Sequence, residues 1–199
     1  MTENPKSTAD KRRKLDNPED SPWVFRGKRE VFDNWLVNLS LHDLTNLSGN
    51  PAEYVWVGFK NKAVGVVALD GDEIWLVGQY RYTIGQYSWE LPEGGCPPGK
   101  DALDAAKWEL AEETGLRAQR YQPLVELHTS NGITDEWAIV YLATGLTQGE
   151  AQPEENEELQ TRKISIDDLV AEIDAGKITD AMTVAAGYKL ALMKARGEI

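Results

Sequence analysis

The chain has 199 residues, of which 41% are hydrophobic and 27% charged, a composition typical of a globular domain rather than a disordered segment. Its formal net charge of −12 argues against a nucleic-acid-binding surface. No apolar run approaches the roughly 18 residues of a membrane helix, and the polar N-terminal stretch lacks the apolar part of a secretory signal. A single cysteine, Cys96, excludes an intrachain disulfide and fits a reducing compartment, so we expect a cytoplasmic protein with no membrane partner.

Two short segments precede the main body of the chain. Residues 1–21 are rich in Lys, Asp, Asn, Pro and Ser, which predicts a disordered tail. Residues 22–50 carry short strand signals and end in a Ser-Gly-Asn-Pro turn, which predicts a small strand-rich appendage before a main domain over residues 51–199.

The appendage has more apolar side chains than so short a segment can bury against itself. We therefore expect it to pack between two copies of the chain, as a homodimer; the alternative is that it folds back on its own sheet. The side chains concerned are Trp23, Val24, Phe25, Val31, Phe32, Trp35, Leu36 and Val37.

A dense β signal follows the appendage. β-Branched and aromatic residues cluster over residues 54–57, 63–69 and 74–82, and the Asp-Gly-Asp turn between the last two runs predicts a hairpin. A further short strand is predicted over residues 86–91. The Gly/Pro-rich stretch over residues 92–99 is predicted to be a loop.

The second half of the chain mixes helices and strands. A helix is predicted from an Asp101 N-cap to about Thr114, with Gly115 as its C-cap. Strands on both sides of this helix, with helices at the end of the chain, predict an α/β (α+β) fold in which helices sandwich a mixed sheet. The later predicted elements are strands near residues 124–128, 137–143 and 162–164, a helix over 167–174 capped by Ser165 and Gly176, and a helix from 180 to about 195 capped by Thr179.

The first helix carries three carboxylates on one stripe. Glu109, Glu112 and Glu113 stand at i, i+3 and i+4, and successive helical residues turn by about 100°. Like charges on one stripe repel each other unless a cation lies among them, and oxygen ligands at this density suit Mg²⁺ or Mn²⁺. Ala102 and Ala105, one to two turns earlier on the same stripe, leave space for a substrate. The alternative interpretation is a solvated acidic helix face.

The residues around this helix stand at fixed spacing, with matching positions at Gly94, Glu109, Leu110, Glu112, Glu113, Gly115 and Leu116. The pattern resembles the box of the Nudix hydrolase family, Gly-x5-Glu-x7-Arg-Glu-U-x-Glu-Glu-x-Gly-U, where U is a bulky aliphatic residue. The resemblance implies an α/β/α sandwich around a mixed β-sheet, with a catalytic site that uses divalent cations. It implies that Glu109, Glu112 and Glu113 bind metal and that Glu109 is catalytic. It also places Gly94 and Gly95 at the substrate.

Two positions depart from the box. Its first Glu is Lys100 here, and its Arg is Trp108. In the family these two side chains commonly pair, and the Arg helps to orient the catalytic carboxylates. Our hypothesis is that Lys100 instead stacks its stem or its cation on the Trp108 indole. The metal-binding glutamates are then unchanged, and the effect on the rate of hydrolysis is left open.

Two further motifs resemble the branch of the family that cleaves ADP-ribose and nucleotide sugars. They are Gln-Tyr-Arg-Tyr at residues 79–82 and Trp-Glu-Leu-Pro-Glu-Gly at residues 89–94. The branch implies that Arg81 contacts substrate, with a strand-edge salt bridge as the alternative. It also implies that the backbone carbonyl of Glu93 binds a metal.

Two loops complete the predicted site. The acidic loop over residues 148–158 resembles one in this branch, which makes Glu155 the base that activates water and Glu157 a further metal ligand; the alternative is a solvated loop. The loop after the box lacks the Ser-Pro-Gly of ADP-ribose-selective members, because Asn131 takes the place of the Pro. This leaves other nucleoside diphosphate sugars open as substrates. Glu136 in the same loop is a further candidate for substrate binding.

The resemblance as a whole implies Mg²⁺-dependent hydrolysis, with Mn²⁺ as a substitute. The substrate would be an ADP-ribose-like molecule or another nucleoside diphosphate sugar, and the products a nucleoside monophosphate and a sugar phosphate. Two alternatives are a catalytically weak Nudix-fold nucleotide-binding module and a pyrophosphohydrolase that removes unwanted nucleoside triphosphates.

Overall fold

The structure is a computed structural model that describes residues 21–151 and 158–199. By its internal contacts the chain divides into two units, Met1–Gly58 and Phe59–Ile199. The tail predicted over residues 1–21 lies almost wholly outside the described residues, as do Glu155 and Glu157. Among the described helices there is none with both the length and the apolar character needed to cross a bilayer.

The N-terminal unit is a three-stranded sheet in the order β1-β2-β3, with β1 over Val24–Asp33, β2 over Val37–Thr45 and β3 over Pro51–Phe59. The turn between β2 and β3 is held by Asn46, whose Oδ1 accepts from the backbone N–H groups of Ser48 and Asn50, both at 3.0 Å. This closed turn returns the chain onto β2. The division of the chain into two units falls after Gly58, and the predicted main domain starts at residue 51.

The second unit is built on a seven-stranded mixed sheet with the order β10-β5-β4-β9-β8, to which β6 is added on β5 and β7 on β4. The central pair β4 and β9 is parallel, and the other pairings of this sheet are antiparallel. The strands are β4 Lys62–Asp70, β5 Glu73–Arg81, β6 Gln86–Glu90, β7 Glu93–Cys96, β8 Leu116–His128, β9 Trp137–Gln148 and β10 Gln160–Ser165, and the helices are α1 Ala102–Thr114, α2 Ile166–Asp174 and α3 Ala181–Ala195.

The sheet separates two apolar cores. Because successive strand residues point to opposite faces, β4 sends Val64 and Val66 to the α1 side and Val67 to the side of α2 and α3. Leu110 of α1 and the buried Cys96 belong to the first core. Helices on both faces of a mixed sheet confirm the predicted α/β/α sandwich.

Several element boundaries differ from those predicted. The loop predicted over residues 92–99 contains β7, because its Gly-rich backbone pairs with the edge of β4. Strand β8 starts at Leu116, well before the predicted residue 124. The first half of β8 is polar, but it pairs with β9 as the second half does. Ser165 caps α2 as predicted, with Ala175 rather than Gly176 at its C-cap, whereas α3 is capped by Asp180 and not by Thr179.

Candidate active site

A cleft of about 620 Å³ opens between β7, the loop after it and helix α1. Its volume is within the roughly 300–1,000 Å³ of small-molecule sites. The described residues that line it are Glu93, Gly94, Gly95, Pro97, Lys100, Asp101, Asp104, Ala105, Trp108, Glu109 and Glu112.

Helix α1 is fixed at both ends and along its inner face. The Asp101 carboxylate accepts from the backbone N–H groups of Leu103 at 2.9 Å and Asp104 at 3.2 Å, which satisfies the first turn. At the other end Gly115 has φ +73°, and an added Cβ there would lie 2.6 Å from the Gly149 carbonyl oxygen, so the cap requires glycine. With Leu110 buried in the core, the opposite face of the helix is presented to the cleft.

Gly94 makes room for the carboxylate of Glu109. A Cβ added at Gly94 would lie 2.2 Å from Glu109 Cδ and 2.3 Å from its Oε1. The glutamate can therefore lie against the β7 backbone only because this residue has no side chain. Gly95 is also tight, since its Cβ would lie 2.9 Å from Asn61 Nδ2.

Glu113 has a different environment from Glu109 and Glu112. It is buried, and its Oε2 accepts from the backbone N–H of Glu93 at 3.0 Å. This bond ties the C-terminal turn of α1 to the start of β7. Glu109 and Glu112, by contrast, are half-buried and line the cleft.

The side chain of Glu93 carries an unsatisfied oxygen. Its Oε1 lies 3.4 Å from an Arg81 nitrogen, while its buried Oε2 has no hydrogen-bond partner among the described residues. Burial raises the pKa of Glu93 well above its usual range, and the negative charges of Asp180 and Glu90 raise this pKa further, against the opposing effect of Arg81. The sequence had assigned only the backbone carbonyl of this residue to the site.

Arg81 forms a salt bridge and does not line the cleft. Its Nε donates to both carboxylate oxygens of the buried Glu90, at 3.1 and 2.9 Å, and its Nη2 makes a further short contact to the same carboxylate. This hydrogen bonding raises the pKa of the Arg81 guanidinium, with the charges of Glu90 and Glu93 adding to the effect. The contact is the strand-edge salt bridge that the sequence left as the alternative to a substrate contact.

Sequence reasoning missed three residues that hold the site in place. Glu90 lies on β6 opposite Val77 of β5, and the sequence assigned it no role in the site. Thr183 accepts from the Leu91 N–H at 2.9 Å, and its own hydroxyl and N–H donate to Asp180 at 2.8 and 2.7 Å. The sequence signal for the Asp180–Thr183 contacts is the N-cap of α3, because Asp180 is that cap. The sequence predicted the cap one residue earlier, at Thr179.

Lys100 and Trp108 both line the cleft, and the Lys100 ammonium makes no cation–π contact with the Trp108 ring among the described residues. Stacking of the lysine stem on the indole stays a prediction. The cation–π contacts between described residues join Lys62 to Trp137, Arg162 to Trp89 and Lys163 to Trp75. Lys100 instead extends from an exposed turn, and the Trp108 side chain is 68% exposed.

Glu136 is not among the described residues that line the cleft. Its carboxylate accepts a short hydrogen bond from the Thr129 hydroxyl, and its carbonyl oxygen lies 3.2 Å from His128 Nδ1. These contacts close the loop between β8 and β9. The acidic-loop residues Glu155 and Glu157 are outside the described part of the chain.

The described side chains supply oxygen atoms that suit a hard cation. Within residues 21–151 and 158–199, no three His, Cys, Asp or Glu side chains form a group that could hold a metal ion. The unpartnered Oε2 of Glu93 and the cradle that Gly94 leaves for the Glu109 carboxylate nevertheless supply oxygen donors at one cleft. Oxygen-rich sites of this kind suit Mg²⁺ or Mn²⁺.

Comparison with known proteins assigns the family. A NUDIX domain matches residues 59–183. An ADP-ribose pyrophosphatase of Mycobacterium tuberculosis is 49% identical over 92 residues, which are 43% of this chain and 42% of that protein, so the match spans less than half of that relative. An ADP-ribose pyrophosphatase of Bacillus subtilis is 26% identical over 170 residues, 84% of this chain and 92% of that protein.

Two more comparisons extend over most of the chain. A CMP-5'-(N-acetyl-N-hydroxy-3-aminopropyl)phosphonate hydrolase of Streptomyces rubellomurinus is 27% identical over 175 residues, 88% of this chain and 82% of that protein. The crystal structure of an ADP compounds hydrolase aligns with a TM-score of 0.79 at 20% identity, covering 89% of this chain and 97% of the other, and supports the fold. The chain belongs to the NUDIX family and is a Nudix hydrolase, by class a pyrophosphohydrolase.

Proposed function

We propose that the protein hydrolyses the diphosphate bond of ADP-ribose or a closely similar nucleoside diphosphate sugar. The observation that carries the proposal is the cleft in which Glu109 and Glu112 of the Nudix helix face Glu93 of β7. The two ADP-ribose pyrophosphatases among the relatives support this choice of substrate. The products are a nucleoside monophosphate and a sugar phosphate.

The residues that would hold Mg²⁺, or Mn²⁺ in its place, are Glu109, Glu112 and Glu113, with the Glu93 carbonyl and Glu157. A bound divalent cation supplies Lewis-acid stabilisation of the diphosphate and lowers the pKa of a bound water. Gly94, by lacking a side chain, lets the Glu109 carboxylate lie against the β7 backbone, and both Gly94 and Gly95 line the cleft that the substrate would enter.

The charge of the cleft supports the proposal that a cation takes part. Five carboxylates line the cleft of a chain whose net charge is −12, and both features repel a diphosphate anion. A divalent cation held by these carboxylates would offset part of their charge and present positive charge to the diphosphate. Glu155, which the acidic loop offers as the base, would then remove the proton of the attacking water.

A different base or sugar is the main alternative within this proposal. The Ser-Pro-Gly signature of ADP-ribose-selective members is absent from the loop after the box, and the Streptomyces relative acts on a CMP-linked phosphonate. A second candidate function is nucleotide binding with weak turnover. It is favoured by Lys100 and Trp108, which replace the box residues that normally orient the catalytic carboxylates.

We also propose that the protein is a homodimer that uses its N-terminal unit. The exposed apolar side chains of that unit include Val31, Phe32 and Trp35, of which Trp35 is 78% exposed. Apolar surface of this kind favours association. The cytoplasmic location stays a prediction from the sequence.

A substrate panel tests the proposed activity. Purified protein is incubated with ADP-ribose, other nucleoside diphosphate sugars and nucleoside triphosphates, with Mg²⁺, Mn²⁺ or chelator, and the released phosphate esters are separated and identified. The proposal expects AMP and ribose 5-phosphate from ADP-ribose, only with added metal. Faster release of pyrophosphate from triphosphates would contradict it, and tight binding without turnover would favour the binding module.

A further inference from the structure

The two positions that depart from the Nudix box both face the cleft. Lys100 and Trp108 line it together with Glu109 and Glu112, and among the described residues the Lys100 ammonium does not lie over the Trp108 ring. We propose that they form a nucleotide-recognition pair, in which the Trp108 indole stacks on the base of the substrate and the Lys100 ammonium contacts its phosphate. This inference rests on the proposed function, because it assigns a binding role within the same site.

The position of Trp108 suits a stacking surface. The side chain is 68% exposed and borders both the 620 Å³ cleft and a second cleft of about 300 Å³, which Lys107, Arg117 and Glu150 also line. An indole left in water keeps a large apolar face hydrated, and stacking on a planar base removes that face from water. The helix does not use this ring for packing, since the core-facing positions of α1 are Ala106 and Leu110.

Lys100 supplies the only positive charge among the described residues that line the larger cleft. The salt bridges between described residues leave its ammonium without a carboxylate partner, although Asp101 and Asp104 line the same cleft. An ammonium that is not neutralised by an ion pair remains available for an anionic ligand.

The combination matches the chemistry of a nucleotide. A nucleoside diphosphate derivative presents one planar aromatic group and a charged phosphate chain, and the two substituted positions offer one group for each. Base–aromatic stacking tolerates different bases, because every base has a π-face. The pair would therefore select for a nucleotide over a simple sugar diphosphate while discriminating weakly between bases.

The test compares two ligands that differ only in the base. Binding of AMP and of ribose 5-phosphate is measured by calorimetry for the wild type and for Trp108→Ala, Trp108→Phe and Tyr188→Ala. We expect Trp108→Ala to weaken AMP binding about tenfold. Its binding of ribose 5-phosphate should change by less than about twofold, and Trp108→Phe should retain most of the affinity for AMP. Tyr188, an exposed aromatic on α3 away from the cleft, serves as the matched control.

Lys100→Met should act on both ligands alike. Their shared phosphate predicts a loss of about two- to fivefold for each, decreasing as the salt concentration rises. Lys189→Met on α3 is the control and should change neither affinity. If Lys100→Met leaves the binding of both ligands unchanged, the phosphate contact is wrong.

The outcomes separate this inference from the proposed function. Equal losses of AMP and ribose 5-phosphate in Trp108→Ala would indicate a structural role for the indole and overturn the stacking. An unchanged AMP affinity in that variant would overturn it too, even if the wild type hydrolyses ADP-ribose. A wild type that cleaves no nucleoside diphosphate, yet binds AMP in a Trp108-dependent way, would refute the proposed reaction and support the recognition pair.

Discussion

The three carboxylates of α1 share a stripe in sequence but have different surroundings in the structure. Glu109 lies against the Gly94 backbone, Glu112 lines both clefts, and Glu113 is buried and bound to the N–H of Glu93. Helical spacing predicts which residues share a face, but it cannot show what the facing strand does to each of them. Their roles in catalysis and in holding the site together should therefore separate on mutation.

Gly94→Ala should displace the Glu109 carboxylate while leaving the fold intact. The new Cβ would meet the far end of a flexible side chain at 2.2 Å, so the glutamate can swing away at small cost in stability. We expect kcat to fall by about a hundredfold, because misplaced catalytic groups cost about that much, with little change in Tm. The control is Gly132→Ala, whose added Cβ has no described heavy atom within 4 Å. A kcat equal to that of the control would refute the close packing described here.

Glu112→Gln tests the metal-binding assignment. The exchange keeps the shape of the side chain but removes one negative charge from the cleft, so it should weaken Lewis-acid stabilisation. That stabilisation is worth several kcal/mol, so we expect kcat to fall by about a thousandfold with an unchanged circular dichroism spectrum. Glu126→Gln, an exposed position on β8, removes the same charge elsewhere and should have no such effect. Turnover near that of the wild type at saturating Mg²⁺ would contradict the assignment.

At the scale of elements, the neighbouring strands β5 and β6 are joined by the Arg81–Glu90 contact, and β7 adds Glu93 to the same network. Arg81→Ala would leave the buried Glu90 carboxylate without its partner. We expect a loss of about 1–3 kcal/mol in the free energy of unfolding, less than for a fully buried pair because the arginine is partly exposed.

The measurement for Arg81→Ala is urea unfolding compared with substrate KM. Arg196→Ala, which removes an exposed pair with Glu198 at 3.8 Å, should cost less than about 1 kcal/mol. If Arg81→Ala instead keeps full stability and raises KM, the arginine contacts substrate as the sequence first suggested. A change in both quantities would assign it both roles.

The N-terminal sheet should loosen on acidification because of His42. This residue is buried between the rings of Phe25 and Trp56 and lies 2.9 Å from the Ser40 hydroxyl. Burial lowers the pKa of its imidazole, and the charge of Lys28 adds to the effect.

The sign of the pH effect follows from this lowered pKa. Below the unfolded-state pKa of about 6.5, the unfolded chain binds a proton that the folded sheet does not. Stability is therefore complete above that pH and falls as the pH drops, by at most about 1.4 kcal/mol per pH unit for one proton. Amide hydrogen exchange in β1 to β3, corrected for intrinsic rates, should show less protection at pH 5 than at pH 7.5. His42→Gln should flatten this difference and His128→Gln should not; equal behaviour of the two variants would contradict the argument.

Local signals made some elements predictable and others not. The two ends of helix α1 could be predicted from the sequence, because its N-cap Asp101 and its C-cap Gly115 hydrogen-bond to residues within one turn of themselves. Strand β7 could not, because Glu-Gly-Gly-Cys has little strand propensity and is held by pairing with β4. The contact between Leu91 and Thr183 joins residues 92 positions apart, so neither neighbourhood alone contains a signal for it.

At the scale of the whole molecule, we expect one unit to carry the active site and the other to carry the dimer contact. The second unit contains the described cleft, while the first has the exposed apolar side chains that motivate a dimer. We expect light scattering to show a dimer at micromolar concentration and Trp35→Glu to shift it toward monomer, since an unpaired charge in an apolar interface is costly. Leu192→Glu, at an exposed position on α3 of the second unit, is the control. A fully active monomeric wild type would refute the dimer.

The buried Cys96 has a consequence for the motion of the active site. Its thiol is 1% exposed at the end of β7, and burial raises its pKa, so the folded protein presents almost no reactive thiolate. We expect a thiol reagent to alkylate Cys96 only when β7 separates from β4. The rate of alkylation would therefore measure how often this side of the cleft opens locally. Because Cys96 is the only cysteine in the chain, this alkylation rate can be measured on the wild-type protein. A ligand that contacts both Gly94 and α1 should slow the alkylation of Cys96.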